Sequence, residues 1–173
     1  HSVGRLLSKY DRVAILGKPG AGKSTYAQYI ALTLAQDKAG NRKLRKNGVV
    51  QERLGIHQWF LPIVIPLRKV SGHLSKDSDT VKGQDIMEVF FRHVLPSSVG
   101  KGIDNLIYYM LSKGQCLFLL DGLDEVADRE EFQAVTKEIT GLTSRYPGNR
   151  FIVTSRFSGW RGGPGSSFSQ FEI

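Results

Sequence analysis

The sequence predicts an α/β fold, a three-layer sandwich in which a mostly parallel sheet carries helices on both faces. Three observations predict it. Short apolar runs of strand character alternate with segments whose apolar residues recur at helical spacing, and right-handed crossovers between parallel strands place such helices over both sides of a sheet. The run Cys116-Leu117-Phe118-Leu119-Leu120 is apolar without interruption, as a strand covered on both faces must be. Finally, the runs end in glycine or in polar clusters, Gly17 to Thr25, Asp121 to Glu125 and Thr154 to Arg156. In a parallel sheet all three endings open onto the one edge where ligands bind.

Taken in order, Arg12 to Leu16 is a short apolar run that stops at Gly17 and reads as a buried strand. Ala27, Ile30, Ala31 and Leu34 follow at i, i+3, i+4 and i+7, which gives a helix with one apolar face. Residues 38 to 55 hold Lys, Arg, Gly and Asn without sustained period and read as a surface connection with a short helix toward Leu54. Leu61 to Leu67 is too short for a typical helix, and Pro62 and Pro66 confine it to an edge of the sheet. Ser71 to Thr80 reads as a polar loop. Beyond it a helix with Ile86, Val89, Phe90 and Val94 on its apolar face runs until Pro96. A second helix sets Ile103, Leu106, Ile107, Met110 and Leu111 on one face before Gly114 stops it. After the run ending at Asp121, Phe132, Val135, Ile139 and Leu142 mark another helix, which Pro147-Gly148 closes before the strand Phe151 to Thr154.

Composition narrows the class. A chain of 173 residues suits one domain, and 40% hydrophobic content supports a conventional core. No apolar run approaches the roughly 20 residues of a membrane span, and the N-terminus lacks the regions of a signal peptide, so a cytoplasmic protein with no membrane partner is expected. The single cysteine, Cys116, excludes an internal disulfide and reads as a core thiol in a reducing compartment. Net charge is +8 and the densest basic stretch is Arg42-Lys43-Leu44-Arg45-Lys46; lying between a helix and the next apolar run, it reads as a solvated loop, and nucleic acid is not expected as a partner. His57, His73 and His93 show no metal-ligand spacing with one another or with Cys116, so no zinc site is assigned. Trp160 and Arg161 stand in the glycine-rich stretch Gly159 to Ser167, where Trp160 is expected to anchor the loop on its own domain. Without an initiator methionine and with an abrupt end at Ile173, the chain is expected to be a piece of a longer protein, His1 being a preparative remnant.

Chemistry concentrates at the three polar endings. Gly17-Lys18-Pro19-Gly20-Ala21-Gly22-Lys23-Ser24 has the spacing G-x-x-x-x-G-K-[ST] between a strand and a helix. Glycines there let main-chain N–H groups curl around phosphate oxygens, and the helix N-terminus adds the positive end of its dipole. Lys23 is expected on the β- and γ-phosphates, Ser24 on Mg²⁺, and Thr25 toward the α-phosphate. Asp121 ends the most hydrophobic strand, which would hold its carboxylate rigidly on the water shell of the same Mg²⁺. The next residue is Gly122, so the group that activates water is expected to be Asp124 or Glu125. If the strand ending in Thr154-Ser155-Arg156 lies beside the glycine-loop strand, Arg156 or a hydroxyl before it would face the γ-phosphate, where a positive charge can sense or stabilise it.

Together, Gly17 to Thr25, Leu119-Leu120-Asp121-Gly122-Leu123-Asp124-Glu125 and Val153-Thr154-Ser155-Arg156 resemble the NACHT family of STAND signal-transduction NTPases. A small residue after the strand-end Asp, followed by two more acids, distinguishes that family, and Pro62 to Arg68 is similar to its second strand. The likeness spans about residues 10 to 173. It implies a P-loop NTPase fold with five strands in the order 5-1-4-3-2, Phe168 to Ile173 starting the fifth. It further implies a nucleotide switch, ATP or GTP against the diphosphate, within a larger protein that oligomerises on activation and whose helical and winged-helix subdomains lie outside this chain. ATP is favoured by default, since no N-K-x-D tetrad selects guanine. The same glycine loop serves kinases of small acceptors and nucleic-acid motors; the pattern Asp121-Gly122-Leu123-Asp124-Glu125 favours the switch.

Overall fold

The structure is a computed structural model and describes residues 3–39, 49–74, 85–96, 98–100 and 102–173. Five strands, β1 (Arg12–Leu16), β2 (Leu61–Pro66), β3 (Cys116–Asp121), β4 (Arg150–Ser155) and β5 (Ser169–Glu172), form one sheet in the order β2-β3-β4-β1-β5. Read from the other edge this is 5-1-4-3-2, as expected. Every adjacent pair is parallel, so the sheet is wholly rather than mostly parallel. The apolar runs at Arg12, Cys116 and Phe151 form the three inner strands, where side chains on both faces are buried and apolar ones lose nothing by leaving water.

Alternation along each strand divides the interior into two cores. Ala14, Leu16, Ile63, Ile65, Cys116, Phe118, Leu120, Phe151 and Val153 point to one side, where Phe118 and Phe151 stack at 5.0 Å. Covering that face are α4 (Leu67–Leu74), α5 (Ile86–Val89), a π turn (Phe90–Val94), α6 (Ile103–Ser112) and α7 (Arg129–Arg145). Val13, Ile15, Leu117, Leu119 and Ile152 point to the other side, under α1 (Val3–Lys9), α2 (Lys23–Ala39) and α3 (Val49–Leu54). Helices therefore lie on both faces, and no described helix is long and apolar enough to cross a membrane.

Strand β2 is an edge, and its prolines sit where an edge tolerates them. Leu61 N donates to Gln115 O, so in the alternating ladder Pro62 and Pro66 occupy the positions whose N–H would face away from β3. Only Val64 is left to offer a donor outward, which protects the edge against pairing with another chain.

Several expectations are corrected. Ser71 to Leu74 is not loop: these residues finish α4, which starts directly after Pro66 and buries Leu67, Val70 and Ser71 at helical spacing. The rest of the expected loop, residues 75 to 80, and the basic stretch 42 to 46 lie outside the described residues. The helix carrying Ile86 is interrupted, since Leu95 N donates to Phe90 O five residues back. Leu106, expected on the apolar face of α6, is 49% exposed; only Ile107 and Leu111 of that helix are buried. Helix α1, for which no expectation was stated, adds Leu6 and Leu7 to the second core. His73 and His93 stack ring on ring with centroids 3.8 Å apart, joining α4 to the π turn. Trp160 is buried edge-on to Phe168, and a Cβ at Gly163 would lie 2.5 Å from its ring, so it is the loop anchor that was expected.

Candidate functional site

Parallel register brings the polar strand endings level. Leu16 pairs with Ser155 and Leu120 with Val153, so the carboxyl ends of β1, β3 and β4 finish side by side. At the end of β1, Gly17 N donates to Ser155 O, and a Cβ on Gly17 would lie 2.7 Å from Ile173 O. This glycine is demanded by close packing against the end of β5. Gly20 and Gly22 are demanded by conformation instead: their φ angles are +76° and +84°, while a Cβ at either would meet nothing. Between them the chain turns back, Ala21 N donating to Lys18 O. Helix α2 then starts at Lys23, so the main-chain N–H groups of its first residues have no intrahelical acceptor. Lys23 Nζ spans the loop by donating to Gly17 O at 2.9 Å and Lys18 O at 3.0 Å.

Three segments meet on one carboxylate oxygen. Asp121 Oδ1 accepts from Ser24 Oγ at 3.0 Å and from Thr154 Oγ1, and Thr154 Oγ1 in turn accepts from Gly122 N at 2.9 Å. Thr154 is fully buried, so its hydroxyl fixes the direction of Asp121 rather than contacting solvent. Gly122 has φ +79°, and a Cβ on it would press on the Glu125 side chain at 3.1 Å, which is why a residue without a side chain follows Asp121.

The two following acids differ. Residues Leu123–Glu125 form one 3-10 turn. The Asp124 carboxylate, 10% exposed, accepts from the main-chain N–H of Arg156 through Oδ1 and from Arg156 Nε through Oδ2, both at 2.9 Å. Among the described residues none bonds to the carboxylate of Glu125, which is exposed.

A cavity of about 270 Å³ opens where these pieces meet. Pro19, Gly20, Gly22, Lys23, Ser24 and Thr25 line it from the loop, Gly122, Asp124 and Glu125 from the 3-10 turn, and Thr154 and Arg156 from the end of β4. All three polar endings thus contribute. Of the remaining residues singled out in the sequence, Gly17 and Ala21 shape the loop without lining the cavity, and Asp121 stands behind Ser24 with Oδ2 free of protein partners among the described residues. A serine hydroxyl touching an aspartate carboxylate is a pair of hard oxygen donors, the set that suits Mg²⁺. Two cationic residues, Lys23 and Arg156, line the cavity together with Ser24.

Sequence reasoning did not assign Thr154 to Asp121. The signal was available, because a hydroxyl one position past an apolar strand end can only meet the neighbouring strand end if the two strands are adjacent. Cys116 lies at the far end of β3 from Asp121; burial pushes its thiol up to about 12, which makes it an inert core residue. No family model, curated protein or solved structure matches this chain.

Proposed function

We propose that this chain binds a nucleoside triphosphate with Mg²⁺ on a P-loop NTPase fold and hydrolyses it slowly, as the nucleotide switch of a larger signalling protein that oligomerises. The observation that carries the reading is the 3.0 Å contact of Ser24 Oγ with Asp121 Oδ1. It ties the glycine loop, through a residue that lines the cavity, to the acidic strand end directly behind it, and a chance glycine-rich turn has no reason to meet such a partner.

In this reading the N–H groups from Gly20 onward and Lys23 bind the phosphate chain, and Thr25 borders it. Ser24 and Asp121 would hold Mg²⁺, with Thr154 keeping Asp121 aimed. The ion supplies positive charge against the phosphate oxygens. Glu125 orients the attacking water, a role supported by its unpaired carboxylate on the cavity wall; Asp124 has both oxygens engaged by Arg156 and is poorly placed to take a proton. Arg156 meets the terminal phosphate. Slow turnover follows from an open cavity in which few donors surround the terminal phosphate, and closure by further subdomains or a neighbouring protomer would raise the rate by excluding water. The resemblance to NACHT domains supports the switch over a small-acceptor kinase.

Binding of ATP, ADP, GTP and GDP with Mg²⁺, measured by calorimetry on the wild type and on Lys23→Ala, tests the reading. We expect micromolar or tighter binding in the wild type and a loss of about 100-fold or more in the variant, since a charge-assisted phosphate contact and its electrostatic reach are removed together. Affinity surviving the substitution would reject the site.

A further inference from the structure

We propose that Gly159 is a positioning residue of this site: its missing side chain lets the short helix α8 (Phe157–Trp160) close on Asp124, and Asp124 held there fixes the direction of the Arg156 guanidinium. The proposal rests on the nucleotide-binding reading above and adds to it a residue outside the cavity.

A Cβ built on Gly159 would lie 2.1 Å from Asp124 Cβ, 2.6 Å from Asp124 Cα and 3.3 Å from Ser155 Oγ. The two nearest atoms belong to the main chain and the root of a side chain in the 3-10 turn, so no rotamer change relieves the contact. Gly159 is not among the residues with positive φ, unlike Gly20, Gly22 and Gly122. Glycine is therefore needed here for proximity and not for backbone conformation. Its own N–H donates to Arg156 O at 3.1 Å, and Ser155 Oγ donates to the same carbonyl at 2.9 Å.

Arg156 is thus held at every point except its tip. Its carbonyl is tied to Gly159 and Ser155, and its main-chain N–H and Nε are both tied to Asp124. With Nε engaged, the guanidinium retains the four N–H donors of its terminal nitrogens, and their direction is set before any ligand arrives. A preset arginine binds an anion without first losing side-chain freedom, so the benefit falls on the phosphate that Arg156 touches and on no other. Gly159 accordingly governs discrimination between triphosphate and diphosphate, while overall nucleotide affinity stays with the glycine loop.

The test compares affinities for ADP and for a non-hydrolysable ATP analogue, both with Mg²⁺, in the wild type, Gly159→Ala, Arg156→Ala, the double variant and Asp124→Asn. We expect Gly159→Ala to lower the preference for the triphosphate analogue by about tenfold while ADP affinity changes by less than about twofold. The double variant should discriminate no worse than Arg156→Ala alone, because both substitutions remove one interaction. Asp124→Asn adds no bulk, carries no charge and keeps a single acceptor oxygen, which cannot serve both Arg156 N and Arg156 Nε, so it should lose the same preference; retention of the full preference in this variant overturns the proposal even if Gly159→Ala does not fold. Equal loss of ADP and analogue binding in Gly159→Ala, or additive losses in the double variant, overturns it as well. A wild type that binds neither nucleotide rejects the underlying site reading, whereas binding that depends on Lys23 with unchanged discrimination in Gly159→Ala and Asp124→Asn rejects only this proposal.

Discussion

The two ends of strand β3 handle buried polar groups in opposite ways. At the amino end, Asn149 Oδ1 accepts from Cys116 N at 2.9 Å, and the Asn149 amide donates to Leu111 O at 2.9 Å and Tyr146 O at 3.0 Å. Every bond closes on main chain inside the protein, and Gly114 and Gly148 pack against each other beside it. At the carboxyl end, Asp121 also collects bonds from neighbouring segments, but there its partners Ser24 and Thr154 line a cavity, and the Glu125 carboxylate on the same cavity has no partner among the described residues. A polar network that closes on itself inside the protein holds a fold together, while one that reaches open space leaves acceptors facing solvent.

The largest effect should come from breaking the closed end. Asn149→Ala removes the side-chain partners of Cys116 N and Tyr146 O, while Leu111 O keeps the bond from Gly114 N, and we expect about 2 kcal/mol or more of lost stability in urea unfolding. Nucleotide affinity of the folded protein should stay within about twofold, as the site is at the other end of the strand. A variant of unchanged stability but reduced affinity would break the contrast. At the open end the sign of the comparison reverses. Glu125→Gln removes a charge that no group among the described residues uses, so unfolding free energy should move by less than about 0.5 kcal/mol. Phosphate release should nevertheless fall by about 100-fold with triphosphate affinity retained; a fall in affinity equal to the fall in rate would assign Glu125 to binding instead of water orientation.

The sequence made the inner sheet legible because burial on both faces leaves no choice of residue type: Arg12 to Leu16, Cys116 to Leu120 and Phe151 to Thr154 read as strands and are strands. It was less legible where a helix meets the sheet through few residues. Leu67, Val70 and Ser71 carry α4 amid Arg68, Lys69, Gly72 and His73, a polar composition that resembles a loop. Leu106 has the period of a buried residue, yet α6 contacts the core through too narrow a stripe to cover it. At the site, Lys23, Ser24 and Asp121 were legible from local spacing. The pairing of Asp124 with Arg156 was not, because it joins residues 32 apart in sequence and depends on the close approach of Gly159, which no local pattern encodes. Strand order was expected through resemblance alone, since alternation of strands and helices is compatible with several orders.

In the proposed site the glycine loop and Asp121 jointly serve a metal-bound phosphate chain. Affinity for a non-hydrolysable triphosphate, measured with and without Mg²⁺ in the wild type and in Asp121→Asn, separates this from every other arrangement. Mg²⁺ should strengthen binding by about tenfold or more in the wild type and have little effect in the variant, whose amide is a far weaker partner for the cation. An equal response to Mg²⁺ in both proteins would rule out the joint role of the loop and Asp121.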